Sequence, residues 1–233
     1  MNNKASRKHD IDALVSKIKS QYANIEKLYN ASLHKQEIGS DLKIEVKSYL
    51  ENARSIFDYC AHDIAAVLDI TKDNIYFPIV GKDKDVNSFD GSVNRNLPGL
   101  KSKSQNLFEY LESFQPYHEG NSWLADFSTV TNDHKHSQLT PQTKTDTQRM
   151  VSRHVDGRKA SWDPNLATFG SGVFINDAQV NPLTQMPVST PETIVTEEIW
   201  VDFRFDGTIS ALPLLKEIYD KVPAIVEGVY KLL

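Results

Sequence analysis

Two long amphipathic stripes follow one another at the start of the chain, and they constrain the fold more than any other feature. Apolar residues recur at steps of three and four over about residues 9–35 and again over about residues 40–68. Only a short turn that contains Gly39 separates them, and Ser40 is expected to cap the second helix. Two such helices favour an antiparallel hairpin in which both stripes are buried.

Helical periodicity returns in three later stretches, at residues 104–114, 122–139 and 210–232. The last stretch carries an apolar face that should return to the bundle, and Pro223 should kink it. Between residues 73 and 103 the pattern dissolves. We expect an irregular surface excursion there, with one short extended piece near residues 74–79.

The sequence changes character near residue 140. Residues 140–147 are poor in apolar side chains and predict a linker. Segments rich in Val, Ile, Thr and Phe follow and predict a small antiparallel sheet of three or four strands, with strands at residues 148–155, 167–176 and 193–205. The pair Asn176-Asp177 predicts a hairpin turn.

These patterns predict an α+β fold that is mainly α: an antiparallel helical bundle with a small antiparallel β-sheet inserted before the C-terminal helix. We expect a single domain over residues 1–233. Within it, residues 9–140 would form the helical bundle core, residues 141–208 a β-rich insertion, and residues 209–233 the C-terminal helix that returns to the bundle.

Charge and cysteine content limit the partners and the compartment. The formal net charge of −5 gives no overall basic field for nucleic acid, so contact with RNA would have to be local. Cys60 is the only cysteine, which excludes an internal disulfide, suits a reducing compartment and predicts a small core residue. The polar start and the short apolar runs predict a cytoplasmic protein without membrane contact.

One group of chemical interest lies on the second helix, where Arg54, Asp58 and His62 follow one another at i, i+4 spacing. The plainest interpretation is an intrahelical ion pair between Arg54 and Asp58, which contributes about 0.3 kcal/mol. Because Arg54 borders the apolar seam, the pair can also aim at a buried site between helices, with Asp58 as a binding residue.

A second group, with the sequence NDHKH, occupies residues 132–136 near the end of a helix. His134 shares the apolar face of that helix and predicts a core position. Asn132 and His136 are four residues apart on the other side, where they can act together on a phosphate, a leaving group or a partner helix. Lys135 adds a positive charge there and is a candidate binding residue.

The same residues offer a weak metal pattern. Asp133 and His136 have the i, i+3 spacing of carboxylate and imidazole in di-iron bundles, and Asp58 with His62 offers a second pair. Those sites use two Glu-x-x-His motifs and further Glu ligands, and a matching second motif is absent. We therefore predict neither a metal site nor a cofactor, and the P-loop, dinucleotide and serine-hydrolase motifs are also missing.

Several short motifs occur in a fixed order between residues 40 and 140: NARSIFDY at 52–59, YFPI at 76–79, QPY at 115–117, WL at 123–124 and NDHKH at 132–136. In these motifs the chain resembles a group of uncharacterised bacterial proteins that carry an RSxxD helix, a short FPI strand and an N-x-x-KH helix end. The resemblance extends to the strand-then-helix layout of the C-terminal third. It implies the architecture described above.

The chain also resembles, more distantly, the HEPN superfamily of helical-bundle proteins, which are common in bacterial toxin and defence systems and include many metal-independent RNases. Their motif has an Arg, a polar residue, and a His four positions after the polar residue. Asn132 and His136 match the last two, and Thr131 stands where the Arg is expected. The resemblance implies that His136 would be a general acid or base, Asn132 would orient a phosphate, and Arg54 or Lys135 would neutralise charge.

Three functions are left open. A non-catalytic binding or scaffold module of HEPN-like helical type would use Arg54, Asp58, Asn132 and His136 as a polar cluster. A metal-independent RNase would use the catalytic roles just given, and a metal-dependent enzyme would be built on the bundle. We favour the binding module, because the acidic charge balance and the missing Arg weaken RNA cleavage. RNA, a protein partner and a homodimer are the assemblies considered.

Overall fold

The computed structural model describes residues 6–35, 38–133, 142–163, 167–188, 190–205 and 208–233. Its helices are α1 (Lys8–Lys35), α2 (Ser40–Val67), α3 (Val86–Asn96), α4 (Leu100–Lys103), α5 (Gln105–Ser113), α6 (Ser122–Asp133) and α7 (Ala211–Leu232). Its strands are β1 (Gln142–His154), β2 (Lys159–Trp162), β3 (Phe174–Ile175), β4 (Ala178–Asn181), β5 (Met186–Pro187), β6 (Thr193–Phe205) and β7 (Ile209–Ser210). The predicted α+β, mainly α fold class is confirmed.

The chain divides into two compact units. The first, here called the helical unit, contains Met1–Thr143 and Phe203–Leu233. The second, here called the β unit, contains Lys144–Asp202 and falls within the predicted β-rich insertion at residues 141–208. Over the described ranges, no helix has the length and apolar character that a membrane span requires.

The predicted antiparallel hairpin of α1 and α2 is confirmed. Near its middle, Gln21 Nε2 donates to Ser48 Oγ at 3.0 Å, and Asn52 Nδ2 donates to Gln21 Oε1 at 2.9 Å. Along the length of both helices, the apolar stripes contain many buried residues. Gly39 is the N-cap and Ser40 the first helical residue of α2, so the prediction that Ser40 caps this helix is wrong.

As predicted, α7 returns to the bundle, where it packs against α1, α2, α5 and α6. Its apolar face is fully buried at Leu215, Ile218, Val222 and Val229. The helix continues through Pro223. The Tyr110 side chain of α5 lies against Gly228, where a Cβ would overlap its hydroxyl and ring. A larger residue at position 228 therefore requires the Tyr110 side chain to shift.

The predicted surface excursion at residues 73–103 is wrong. The segment contains α3 and α4, and Phe89, Val93, Leu97 and Leu100 are buried. Asp85 caps α3, since its Oδ1 accepts from the backbone N–H of Ser88 at 2.9 Å. The helix-weakening Asn and Gly residues of α3 mask its apolar spacing, and tertiary burial overrides their low propensity. Residues 75–80 lie outside any strand.

Three described strand pairs of the β unit are antiparallel, those of β1 with β2, β3 with β4 and β4 with β5. β1 lies between β2 and β6 in one sheet, and β3, β4 and β5 form a second. The predicted linker at 140–147 is wrong from residue 142 onward, because β1 begins there. The predicted strand at 193–205 is confirmed as β6, whereas only residues 174–175 of the predicted strand at 167–176 are strand.

The predicted turn at Asn176-Asp177 is confirmed. These two residues join β3 to β4, with φ angles of 48° and 64°. Such left-handed backbone suits Asn and Asp better than other residues that carry a Cβ. Asn176 also donates from Nδ2 to the Ser152 carbonyl at 3.1 Å, and its own carbonyl accepts from Thr193 Oγ1 at 2.7 Å. The turn is thereby tied to both long strands.

One buried carboxylate joins three helices of the helical unit. Asp63 on α2 is 3% exposed and accepts from Ser6 Oγ at 2.9 Å, from the Arg7 backbone N–H at 2.9 Å and from Tyr230 Oη at 2.6 Å. Burial and the hydrogen bond to Asp63 raise the pKa of Tyr230, which keeps this hydroxyl protonated as a donor. Asp63 therefore connects the start of α1 and the end of α7 to α2.

We expect Asp63→Ala to lower the free energy of unfolding by about 3 kcal/mol, because it removes the buried acceptor of three partly buried hydrogen bonds that connect α1, α2 and α7. Denaturant unfolding followed by circular dichroism measures this loss. The matched control is Asp220→Ala, which removes a half-exposed i, i+4 partner of Lys216 and should cost at most about 0.5 kcal/mol. Equal losses in the two variants would contradict the connecting role of Asp63.

We expect the thiol of Cys60 to be inert in the folded protein. The side chain is 1% exposed, and burial, with the Asp63 carboxylate nearby, raises its pKa to about 12. A disulfide reagent at neutral pH should modify the Cys60 thiol only after denaturation. The variant Cys60→Ser, which has no thiol, is the negative control. Labelling of the native protein within the mixing time would contradict this expectation.

Candidate functional site

The predicted ion pair on α2 is present. Arg54 Nε donates to Asp58 Oδ2 at 3.2 Å, and the two side chains are 13% and 22% exposed. The bond uses only Nε of the guanidinium. Within the described ranges, the two terminal nitrogens of Arg54 make no hydrogen bond, so their N–H groups are available to a ligand. Asp58 therefore orients Arg54 without occupying its fork of donors.

The segment at residues 75–80 forms a wall beside this pair. The Phe77 backbone N–H donates to Asp58 Oδ1 at 3.4 Å, and the Phe77 ring packs against Phe57 with ring centroids 4.8 Å apart. Gln115 is fully buried and anchors the segment at two points. Its Nε2 donates to the Pro78 carbonyl at 3.2 Å, and its Oε1 accepts from the Val80 N–H at 3.3 Å.

The helix α6 packs against α2 and supplies the opposite wall. Phe127 of α6 lies with its ring centroid 5.7 Å from that of Phe57, which fixes the two helices side by side. On the exposed side of α6, Asn132 Nδ2 donates to Ser128 Oγ at 3.3 Å. This contact holds the Asn132 amide next to a hydroxyl and leaves its carbonyl oxygen available.

The helix α3 completes the site with residues that the sequence analysis did not single out. Ser92, Arg95 and Asn96 lie in its second half, and Asn96 Nδ2 donates to the Ser92 carbonyl at 2.9 Å. Arg95 is exposed. Throughout the part of the chain that the structure describes, no side chain forms an ion pair or hydrogen bond with its guanidinium. The helical spacing of Phe89 and Val93 was the signal that could have located α3.

These elements enclose a polar cavity of about 270 Å³, which we call the arginine cleft. Two arginines, two asparagines, two serines, two aromatic residues and one isoleucine line it: Arg54, Arg95, Asn96, Asn132, Ser92, Ser128, Tyr76, Phe77 and Ile79. Guanidinium forks match the oxygens of phosphate or carboxylate. The arrangement is therefore suited to holding an anion.

The predicted site residues divide into three groups. Arg54 and Asn132 line the same cleft, and Asp58 stands behind Arg54 as its ion-pair partner. His62 is half-buried on α2 and is not among the lining residues. Lys135 and His136 lie outside the described residues, as does His134.

The described residues contain no group of three or more His, Cys, Asp or Glu side chains placed to hold a metal ion. The Asp58 and His62 pair of the di-iron pattern lies within this range, whereas the pair of Asp133 and His136 does not lie fully within it.

Comparisons with known proteins leave the site to be interpreted from its own geometry. No protein family, curated protein or solved structure matches this chain. The resemblances to bacterial RSxxD proteins and to the HEPN superfamily therefore stay predictions. A fold alone does not specify a function, which depends on the chemical groups that line the cleft.

Proposed function

We propose that this chain is a non-catalytic binding module of HEPN-like helical type, whose arginine cleft receives an anionic, phosphate-class group of its ligand or partner. One observation carries the proposal: the guanidinium of Arg95 has no ion-pair or hydrogen-bond partner among the described residues, yet it lines a polar cavity beside Arg54. Two cations face this cavity, and within the described ranges Asp58 alone supplies a carboxylate that pairs with them.

The positions of the donors support an anion rather than a neutral ligand. Arg54 is held by Asp58 through Nε, which leaves its terminal nitrogens as a fork. Arg95 presents a second fork from α3. An anion gains charge-assisted hydrogen bonds from this set, and each is roughly twice as strong as a neutral one.

The same residues support binding rather than catalysis. Among the described residues that line the cleft, none is a His, Asp or Glu. General acid–base chemistry near neutral pH uses such groups, so the described lining offers orientation and charge without a proton carrier. The overall charge of −5 further favours a local anion site over a broad nucleic-acid surface.

We expect inorganic phosphate to bind the wild-type protein and to bind Arg95→Gln about tenfold more weakly, because one charge-assisted contact is lost. Isothermal titration at low ionic strength measures both affinities, and added salt should weaken the wild-type binding. The matched control is Lys27→Gln, which removes the same charge from an exposed position of α1. Equal affinities for wild type and Arg95→Gln would contradict the proposal.

A metal-independent RNase is the second candidate, because Arg54 and Asn132, distant in sequence, line one cavity. In this alternative His136 would act as general acid or base, Asn132 would orient the phosphate, and Arg54 or Lys135 would neutralise charge. The missing Arg at Thr131 and the described lining of the cleft favour binding over this alternative.

We expect the purified protein to leave a labelled single-stranded RNA intact in buffer that contains EDTA, because a binding module carries no cleavage chemistry. Gel electrophoresis of the RNA over time gives the result, and His136→Ala is the matched variant. Cleavage by the wild type that disappears in His136→Ala would replace the binding function with the RNase function.

A further inference from the structure

A second, larger cavity of about 840 Å³ adjoins the arginine cleft, and we call it the α6–α7 groove. Ile79, Ser128 and Asn132 line both cavities, so the two spaces meet along one edge of α6. The groove lies within the helical unit and is bounded by the segment 79–83, by α6, by β7 and by the start of α7. Its volume is in the range of small-molecule sites.

The charged residues at the groove are paired with one another or with near neighbours. Lys82 Nζ lies 2.7 Å from Asp126 Oδ1, and Glu217 Oε2 lies 2.7 Å from Lys221 Nζ. Asp83 pairs with the adjacent Lys84 at 3.0 Å. The groove therefore carries little uncompensated charge, in contrast to the arginine cleft, where Arg95 has no ion-pair partner in the part of the chain that the structure describes.

The surface left between these ion pairs is mixed, with hydroxyl and amide groups next to apolar side chains. Its apolar part is built from aliphatic and aromatic side chains of four different elements: Ile79, Val80, Trp123, Ile209, Pro213 and Leu214. Trp123 and Leu214 are nearly buried, whereas Val80 and Ile209 are half-exposed. An apolar group placed here is removed from water on several sides, which is favourable in proportion to the area covered.

We propose that the arginine cleft and the α6–α7 groove together form one bipartite site for a phosphate monoester that carries an apolar or aromatic group. This inference rests on the proposed anion site and adds the chemistry of the ligand's second half. The guanidinium of Arg95 selects the charged end of the ligand, and the charge-compensated groove selects its uncharged body. A bare phosphate would use only the first of these contacts, and an uncharged apolar molecule only the second.

Isothermal titration of the full chain with inorganic phosphate and with phenyl phosphate, at one ionic strength, tests the inference. We expect phenyl phosphate to bind at least about tenfold more tightly, because its ring covers apolar surface in the groove. Val80→Ser should remove this advantage and leave the affinity for inorganic phosphate unchanged. Arg95→Gln should weaken the binding of both ligands.

The control and a second variant keep the outcomes distinct. Val67→Ser changes an exposed valine of α2 that lines neither cavity, and it should bind both ligands as the wild type does. Ile209→Ser tests the side of the groove that β7 contributes. Thermal unfolding establishes that each variant is folded. Equal affinities of the wild type for the two ligands, or an advantage unchanged in both Val80→Ser and Ile209→Ser, would overturn the bipartite site while the anion site stands. Absence of phosphate binding would instead overturn the proposed function and this inference with it.

Discussion

The candidate site depends on how the segment at residues 75–80 is held against the bundle. This segment has no strand partner, so its backbone groups need other acceptors and donors. The fully buried Gln115 satisfies the carbonyl of Pro78 and the N–H of Val80, and Asp58 accepts from Phe77. The ring of Phe77 adds an apolar anchor on Phe57. With these contacts in place, the segment can be a wall of both the arginine cleft and the α6–α7 groove.

The helix α2 contributes both to the core and to the candidate site, because different sides of this one helix carry the core residues and the site residues. Its apolar stripe faces α1 and α7, and Asp63 joins the start of one and the end of the other. Arg54 and Asp58, one turn apart, lie at the edge of that stripe, where the aromatic contacts of Phe57 bring α6 and the 75–80 segment close. The guanidinium is thus positioned by the same core that stabilises the bundle, and this rigidity suits a preorganised binding site.

The spacing of apolar residues predicted the helices and strands whose periodicity is continuous. It did not predict those whose periodicity is interrupted. The i, i+4 relation of Arg54 and Asp58 predicted their ion pair, and the long stripes predicted the hairpin of α1 and α2. Arg95 was not found, because Asn and Gly residues interrupt the helical pattern of α3 and its burial depends on distant partners. Gln115 was named only as part of the QPY motif, since nothing local indicates that its amide bonds a segment more than thirty residues earlier.

The sequence by itself determined the mainly helical fold class, the antiparallel start, the strand β6 and the chemical identity of one ion pair. These features depend on the periodicity of residues within a single helix or strand, and that periodicity can be read directly from the sequence. Only the tertiary structure decided that Arg54 and Asn132 line one cavity, that Arg95 joins them without a partner among the described residues, and that a groove of mixed polarity adjoins their cleft. Such convergence depends on how separate helices pack, and packing is fixed by the shapes of side chains that are far apart in the chain.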